Sequence, residues 1–160
     1  MLIRPARPED SEAIWKILRP VIRAAETYAL PPDMTRRTAL AYWLAPTHEV
    51  FVAERDGAIL GTYYLRTNHP GGGAHVANCG YITAPEAQGR GVARAMCEHS
   101  LDRARERGFR AMQFNFVVAS NTRAIALWRG LGFTVVGTLP GAFAHPKLGS
   151  VDALVMFREL

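Results

Sequence analysis

The sequence predicts an α/β domain of the α+β kind: one mixed, mostly antiparallel sheet of about seven strands flanked by helices. Three observations carry this. Short apolar segments alternate with segments whose apolar residues repeat at helical spacing. Turn signals separate them, Asp56-Gly57 above all, because a two-residue hairpin turn wants positive φ at both central positions. A length of 160 residues with 49% hydrophobic content suits a single domain over 1–160 with one core.

Residues 2–6 read as a short first strand. Pro8-Glu9-Asp10-Ser11 opens a helix, with acids in its first turn where the helix dipole favours them. Ile14, Leu18, Val21 and Ile22 mark its buried face, and Pro20 predicts a kink or break. A loop at 27–32 leads to a second short helix over 33–43. Trp15 and Trp43 read as packing residues.

Strands follow at 49–54 and 59–65, joined by the Asp56-Gly57 turn. Asn68-His69-Pro70-Gly71-Gly72-Gly73 is a loop before a strand at 74–83, which Ala84-Pro85-Glu86 ends. The next helix spans 89–107 and stops at Gly108, a plausible C-cap. A strand at 112–118, a helix from Asn121 to Gly130, a strand at 133–139, a loop at 140–150 and a strand at 153–157 complete the chain.

The net charge of +5 arises from 19 basic and 14 acidic residues scattered along the chain. With no basic run, nucleic-acid binding is not expected, whereas a mild positive field suits an anionic ligand. No apolar run approaches the roughly 20 residues that span a bilayer, so no membrane association is expected. The start Met1-Leu2-Ile3-Arg4-Pro5 lacks the apolar stretch of a signal peptide, so a cytoplasmic protein is expected. Cys79 and Cys97 form no C-x-x-C pair and no zinc spacing with the histidines, which predicts reduced thiols and no metal.

The stretch Tyr81 to Ala93 carries the chemistry: a strand, a turn and a glycine-rich helix start. The first turn of a helix leaves N–H groups without internal partners, and the dipole adds positive charge there. Gly89 and Gly91 remove side chains at that point, making a site for phosphate or pyrophosphate, with Arg90 as an added charge. A tight turn packing helix on strand has the same appearance. The segment is neither a G-x-G-x-x-G fingerprint nor a G-x-x-x-x-G-K-[ST] loop.

Gln88-Gly89-Arg90-Gly91-Val92-Ala93 resembles the acetyl-CoA motif Q/R-x-x-G-x-G/A of the GNAT N-acetyltransferases. The block from Asn121 to Phe133 resembles that family's N-x-x-A-x-x-L-Y-x-x-x-G-F pattern, and the order of elements agrees over nearly the whole chain. The resemblance implies two central strands that splay apart near Thr83 and Val118, with the thioester in the gap. It implies acetyl-CoA as acyl donor, its pyrophosphate on the amides of Gln88, Gly89, Arg90, Gly91, Val92 and Ala93. The pantetheine arm would pair with the backbone of Tyr81, Ile82 and Thr83 like an added strand. Asn121, also a natural helix N-cap, would contact the same arm. The Ile82 N–H would be the oxyanion donor.

Two departures stand out. The position where many relatives carry a glutamate base is Ala77, beside Asn78 and Cys79. Trp128 stands where relatives often carry a tyrosine that protonates the leaving thiolate, and an indole N–H donates without useful acidity. Glu26, Asp152 and His145 are the alternative candidates for base or amine anchor, each with a bland reading as helix-end carboxylate, turn cap or surface residue. Tyr28, Tyr81 and Asn78 are candidates for lining the acceptor pocket. The close of the chain, His145 to Met156, is similar to amino-acid and phosphinothricin acetyltransferases, which favours a small, amino-acid-like primary amine. The alternatives are a protein or peptide acceptor and a non-catalytic acyl-CoA sensor. A homodimer through the edge of the final strand is a further expectation.

Overall fold

The computed structural model describes all 160 residues. Seven strands form one sheet in the order β1-β2-β3-β4-β5-β7-β6. They are β1 (Leu2–Pro5), β2 (Glu49–Arg55), β3 (Ala58–Thr67), β4 (Val76–Thr83), β5 (Ala111–Val118), β6 (Thr134–His145) and β7 (Gly149–Glu159). Every neighbouring pair is antiparallel except β4 and β5, which run parallel. The helices are α1 (Ser11–Ala24), α2 (Arg36–Trp43), α3 (Val92–Glu106) and α4 (Thr122–Gly130).

Alternation along the strands sends side chains to two helical layers. On one face, the fully buried Trp43 of α2 donates its indole N–H to Thr62 Oγ1 at 3.0 Å. On the other, Tyr63 reaches His99 Nδ1 and Tyr81 reaches Ser100 Oγ, both 2.7 Å away in α3. Asp56 and Gly57 both have positive φ, as the hairpin turn between β2 and β3 requires. At the sheet edge, Arg4 forks onto the buried Asp10 at 2.7 and 3.0 Å and also reaches Glu54. This pins β1 to the start of α1.

Three expectations are corrected. Helix α1 continues through Pro20 to Ala24. Pro20 and Lys16 both lie on the exposed face, so the carbonyl that Pro20 leaves without a donor is on the solvent side of the helix. The segment 140–150 is not a loop: β6 and β7 form a long hairpin whose turn occupies only 146–148. Pro140 fits because β6 is the edge strand and its register shifts between Leu139 and Phe143. Finally, the last strand is not an edge, since β7 lies between β5 and β6. The free edge belongs to β6, with Val136 and Leu139 exposed. No helix is long and apolar enough to cross a membrane.

Candidate active site

The parallel pair β4–β5 is joined only at its start, Val76↔Ala111 and Ala77↔Met112. One step further, Asn78 Nδ2 donates to Gln113 O at 2.9 Å, so a side chain replaces the ladder as the strands part. Beyond it the strands diverge as expected, and a cleft of ≈ 620 Å³ opens between them. The cleft runs from the start of α3, past Trp128 and Asn121 in the α4 region, to a floor of Gly80, Tyr81 and Phe114 under Tyr28, Tyr42 and Tyr64.

Strand alternation decides which backbone groups of β4 enter the gap. Asn68 N–H donates to Val76 O, and Ala84 N–H donates to Leu60 O. The even-numbered residues of β4 therefore exchange their main-chain bonds with β3, through the pairs Arg66↔Asn78, Tyr64↔Gly80 and Thr62↔Ile82. On the opposite side, Arg110 N–H donates to His75 O. The odd-numbered residues Cys79, Tyr81 and Thr83 thus turn theirs toward β5 and the gap. Ile82 N–H is consequently held in the β3 ladder, which corrects its expected role as oxyanion donor and pantetheine partner. The gap-facing N–H groups are those of the odd-numbered residues, with Tyr81 central among them, and the Tyr81 carbonyl accepts a 3.0 Å bond from the Tyr28 hydroxyl.

At the far end of the cleft, α3 begins after Gly91, which caps it with φ +80°; Gly89 has φ +74°. Ala95 N–H makes the first bond of the helix, to Gly91 O. The N–H groups of Gly91, Val92, Ala93 and Arg94 are therefore the orphans of the first turn. Those of Gln88 and Arg90 are spent in turns, on Pro85 O and Ala87 O. Arg90 is exposed and does not line the cleft, which corrects its expected contact. Arg94 and Arg123 do line it, and Arg123 Nη2 lies 3.7 Å from where a Gly89 Cβ would stand. Both were missed in the sequence; one helical turn beyond Arg90 and two residues beyond Asn121 were the available signals. Asn121 caps α4, with Oδ1 accepting from Ala124 N–H at 3.4 Å, and also lines the cleft.

Trp128 packs against Tyr81 and Phe114, with ring centroids 5.1 and 5.2 Å apart. Its indole N–H takes no hydrogen-bond partner within the protein. The side chain of Tyr81 points to the α3 side, so its phenol is a satisfied core group, not a wall of the acceptor pocket. Asn78 does border the cleft, but its amide is occupied: Nδ2 on Gln113 O and Oδ1 accepting Arg66 Nε at 3.1 Å.

The other acid–base candidates lie outside the lining. Glu26 pairs with Lys147 at 2.9 Å, and this hydrogen-bonded cation lowers the affinity of its carboxyl for a proton. Asp152 Oδ1 accepts from Gly141 N–H at 2.8 Å and closes the irregularity in β6. His145 Nδ1 accepts from Lys147 N–H and Leu148 N–H and so shapes the hairpin turn. The Glu26–Lys147 pair nevertheless has a consequence for the site. It ties the tip of the β6–β7 hairpin to the loop after α1, which carries Thr27 and Tyr28 into the cleft wall.

No aspartate, glutamate or histidine lines the cleft. Its titratable groups other than arginines are Cys79 and the tyrosines 28, 42, 64 and 81. Burial pushes the Cys79 thiol and the Tyr28, Tyr64 and Tyr81 phenols up, so each stays protonated at neutral pH and serves as donor, not base. No cluster of histidine, cysteine and acidic side chains could hold a metal ion.

A model of the acetyltransferase (GNAT) family matches residues 13–133. The chain belongs to this family. Its fold superposes on a GCN5-related N-acetyltransferase from Kribbella flavida with a TM-score of 0.95 and 44% identity, covering 99% of this chain and 97% of that one. It is 28% identical over 137 residues to N-acetyltransferase aca1 of Schizosaccharomyces pombe, covering 76% of this chain and 66% of the relative. It is 31% identical to a phosphinothricin N-acetyltransferase from Alcaligenes faecalis, covering 99% of this chain and 82% of the relative. The chain spans less than two thirds of the length of several other curated relatives, such as 33% of a mycothiol acetyltransferase from Arthrobacter. Acetyl-CoA is the acyl donor of the GNAT family, and a Salmonella typhimurium member has been solved with it bound (TM-score 0.87, 25% identity, covering all of this chain and 94% of that one).

The residues present fit that group. Orphan N–H donors at a glycine-lined helix start suit a pyrophosphate, and a row of unpaired β-strand groups suits the amides of a pantetheine arm.

Proposed function

We propose that this protein is an acetyl-CoA-dependent N-acetyltransferase acting on a small primary amine of the amino-acid class. The observation that carries the reading is the continuity of the cleft. One channel joins the orphan amides of α3 to the gap beside Tyr81 and then to an aromatic pocket under Tyr28, Tyr42 and Tyr64. The phosphinothricin N-acetyltransferase likeness over 99% of the chain supports a small acceptor.

When bound, acetyl-CoA supplies the thioester to be attacked. Gly91, Val92 and Ala93 would hold its pyrophosphate, with Arg94 and Arg123 adding charge. Thr83 would offer backbone bonds to the pantetheine arm, and Asn121 a side-chain amide. The amine nitrogen attacks the carbonyl carbon, the C–S bond breaks, and the electron pair leaves on sulfur. Tyr81 N–H would face the developing oxyanion. Trp128 would donate its indole N–H to the departing sulfur. A thiolate with a pKa near roughly 8.5 leaves without a strong acid. With no carboxylate or imidazole in the lining, the proton of the ammonium passes to water. Positioning the two reactants then supplies much of the rate.

The same missing base favours a second reading, a non-catalytic acyl-CoA sensor. Thiol release from acetyl-CoA across a panel of amines separates the two. Acceleration by one amine class supports the enzyme; CoA binding with no accelerated release by any amine overturns it in favour of the sensor.

A further inference from the structure

Arg66 is a cation built into the acceptor end of the cleft without a counter-charge. It lies on β3 directly opposite Asn78 of β4. Its Nε donates to Asn78 Oδ1 at 3.1 Å, and Asn78 in turn holds Gln113 O of β5. That chain, anchored on three strands, tethers the guanidinium through its Nε. No carboxylate pairs with Arg66, and its two terminal nitrogens take no protein acceptor. The other cleft arginines, Arg94 and Arg123, belong to the α3 and α4 end, where the pyrophosphate is expected.

A half-buried guanidinium facing a cleft with no acid in its lining is an unmatched charge. Its fixed fork of donors fits a carboxylate bidentately, which a lysine's point charge does not. We infer that Arg66, held in place by Asn78, binds the carboxylate of the acceptor and so selects amino acids over simple amines. This rests on the acetyltransferase reading for the word acceptor, but the contact itself does not need turnover. Asn78 is a positioning residue in this scheme, which accounts for an asparagine whose amide bonds both Arg66 and Gln113 at the mouth of the gap.

The test uses the full-length chain loaded with CoA and reads binding by isothermal titration. The ligands are matched pairs of N-acetyl amino acids and their C-terminal amides, which differ only in the carboxylate. The native protein is expected to bind the acids at least tenfold more tightly than the amides. Arg66→Met is expected to erase that preference, and Arg66→Lys to restore part of it, with CoA affinity unchanged in both. Asn78→Ala is expected to weaken the preference without abolishing it. Equal binding of acids and amides by the native protein overturns the inference, as does a preference that survives in Arg66→Met. Should Arg66→Met fail to fold, Arg66→Lys carries the test: an undiminished preference for acids over amides there also overturns it. Turnover measured in parallel separates the two claims. A carboxylate preference without turnover of any amine leaves Arg66 as the anchor and removes the enzyme reading; turnover of neutral amines with no such preference does the reverse.

Discussion

Gly91→Glu isolates the anion site, because the structure separates its effect on the fold from its effect on CoA. Gly91 has φ +80°, and a Cβ there would meet nothing within 4 Å. The steric cost to the fold is therefore the left-handed backbone alone, roughly 1–2 kcal/mol for a residue with a Cβ. A carboxylate at the helix start returns about 0.3–1 kcal/mol through the dipole. The variant should fold, with a modest net loss of stability. CoA, in contrast, would bring a pyrophosphate to the amides that this carboxylate now occupies. Taking a separation of roughly 5 Å and an effective dielectric constant of about 20, each charge pair repels by about 3 kcal/mol. CoA affinity should then fall by more than about 100-fold, since 1.4 kcal/mol is a factor of ten. Gly91→Ala carries the same strain without the charge and should keep CoA affinity within about tenfold. Isothermal titration with CoA, with circular dichroism to verify the fold, reads both variants. A folded Gly91→Glu protein that binds CoA as the native one does would refute the placement of the pyrophosphate.

Four further outcomes are expected. Trp128→Phe keeps the ring packed on Tyr81 and Phe114 but removes the indole N–H; turnover should drop severalfold with CoA binding intact, and unchanged turnover would make Trp128 a packing residue only. Without a side-chain base, kcat/KM should rise with pH and level off at the acceptor's own amine pKa, so that amines of different basicity shift the limb. Glu26→Gln should leave this profile in place, whereas a loss of about 100-fold in turnover would make Glu26 the base after all. Asp10 is held below its ordinary carboxylate range, first by its hydrogen bond from Arg4. A depressed native pKa means that its stabilisation is present above the unfolded value near 3.8 and is lost as pH falls through the lower native one. Asp10→Asn should cost about 2 kcal/mol near neutral pH, since it removes the charge-assisted bonds from Arg4, which keeps Glu54 as a partner, and should flatten the acid limb of stability measured by urea unfolding. A steep, native-like acid limb in that variant would place the titrating group elsewhere.

What was legible in the chain was local. The Asp56-Gly57 turn, the apolar periodicities and the capping residue Asn121 each act over a few residues, so their elements formed where expected. The glycines at 89 and 91 marked the helix start for the same reason: positive φ is a property of one residue and its neighbours. The failures were those of pairing. Residues 140–150 look like a loop because proline and glycine interrupt them, yet an edge strand can bulge around Pro140 when its partner carries Asp152 to close the bulge.

The same division runs through the site. The sequence alone located the segment that resembles a CoA motif, and by the same resemblance set Ala77 and Trp128 at the positions where a glutamate and a tyrosine were expected. Only the tertiary structure decided which backbone groups face the gap. A strand's hydrogen bonds alternate with a period of two, and the phase is set by the register with β3, which moves the gap-facing N–H from Ile82 to Tyr81. Only the fold, likewise, separates Arg66 from every acid while bringing Lys147 to Glu26, 121 positions apart in the chain (147 less 26). Charge pairing depends on distances in space, and a sequence lists residues without those distances.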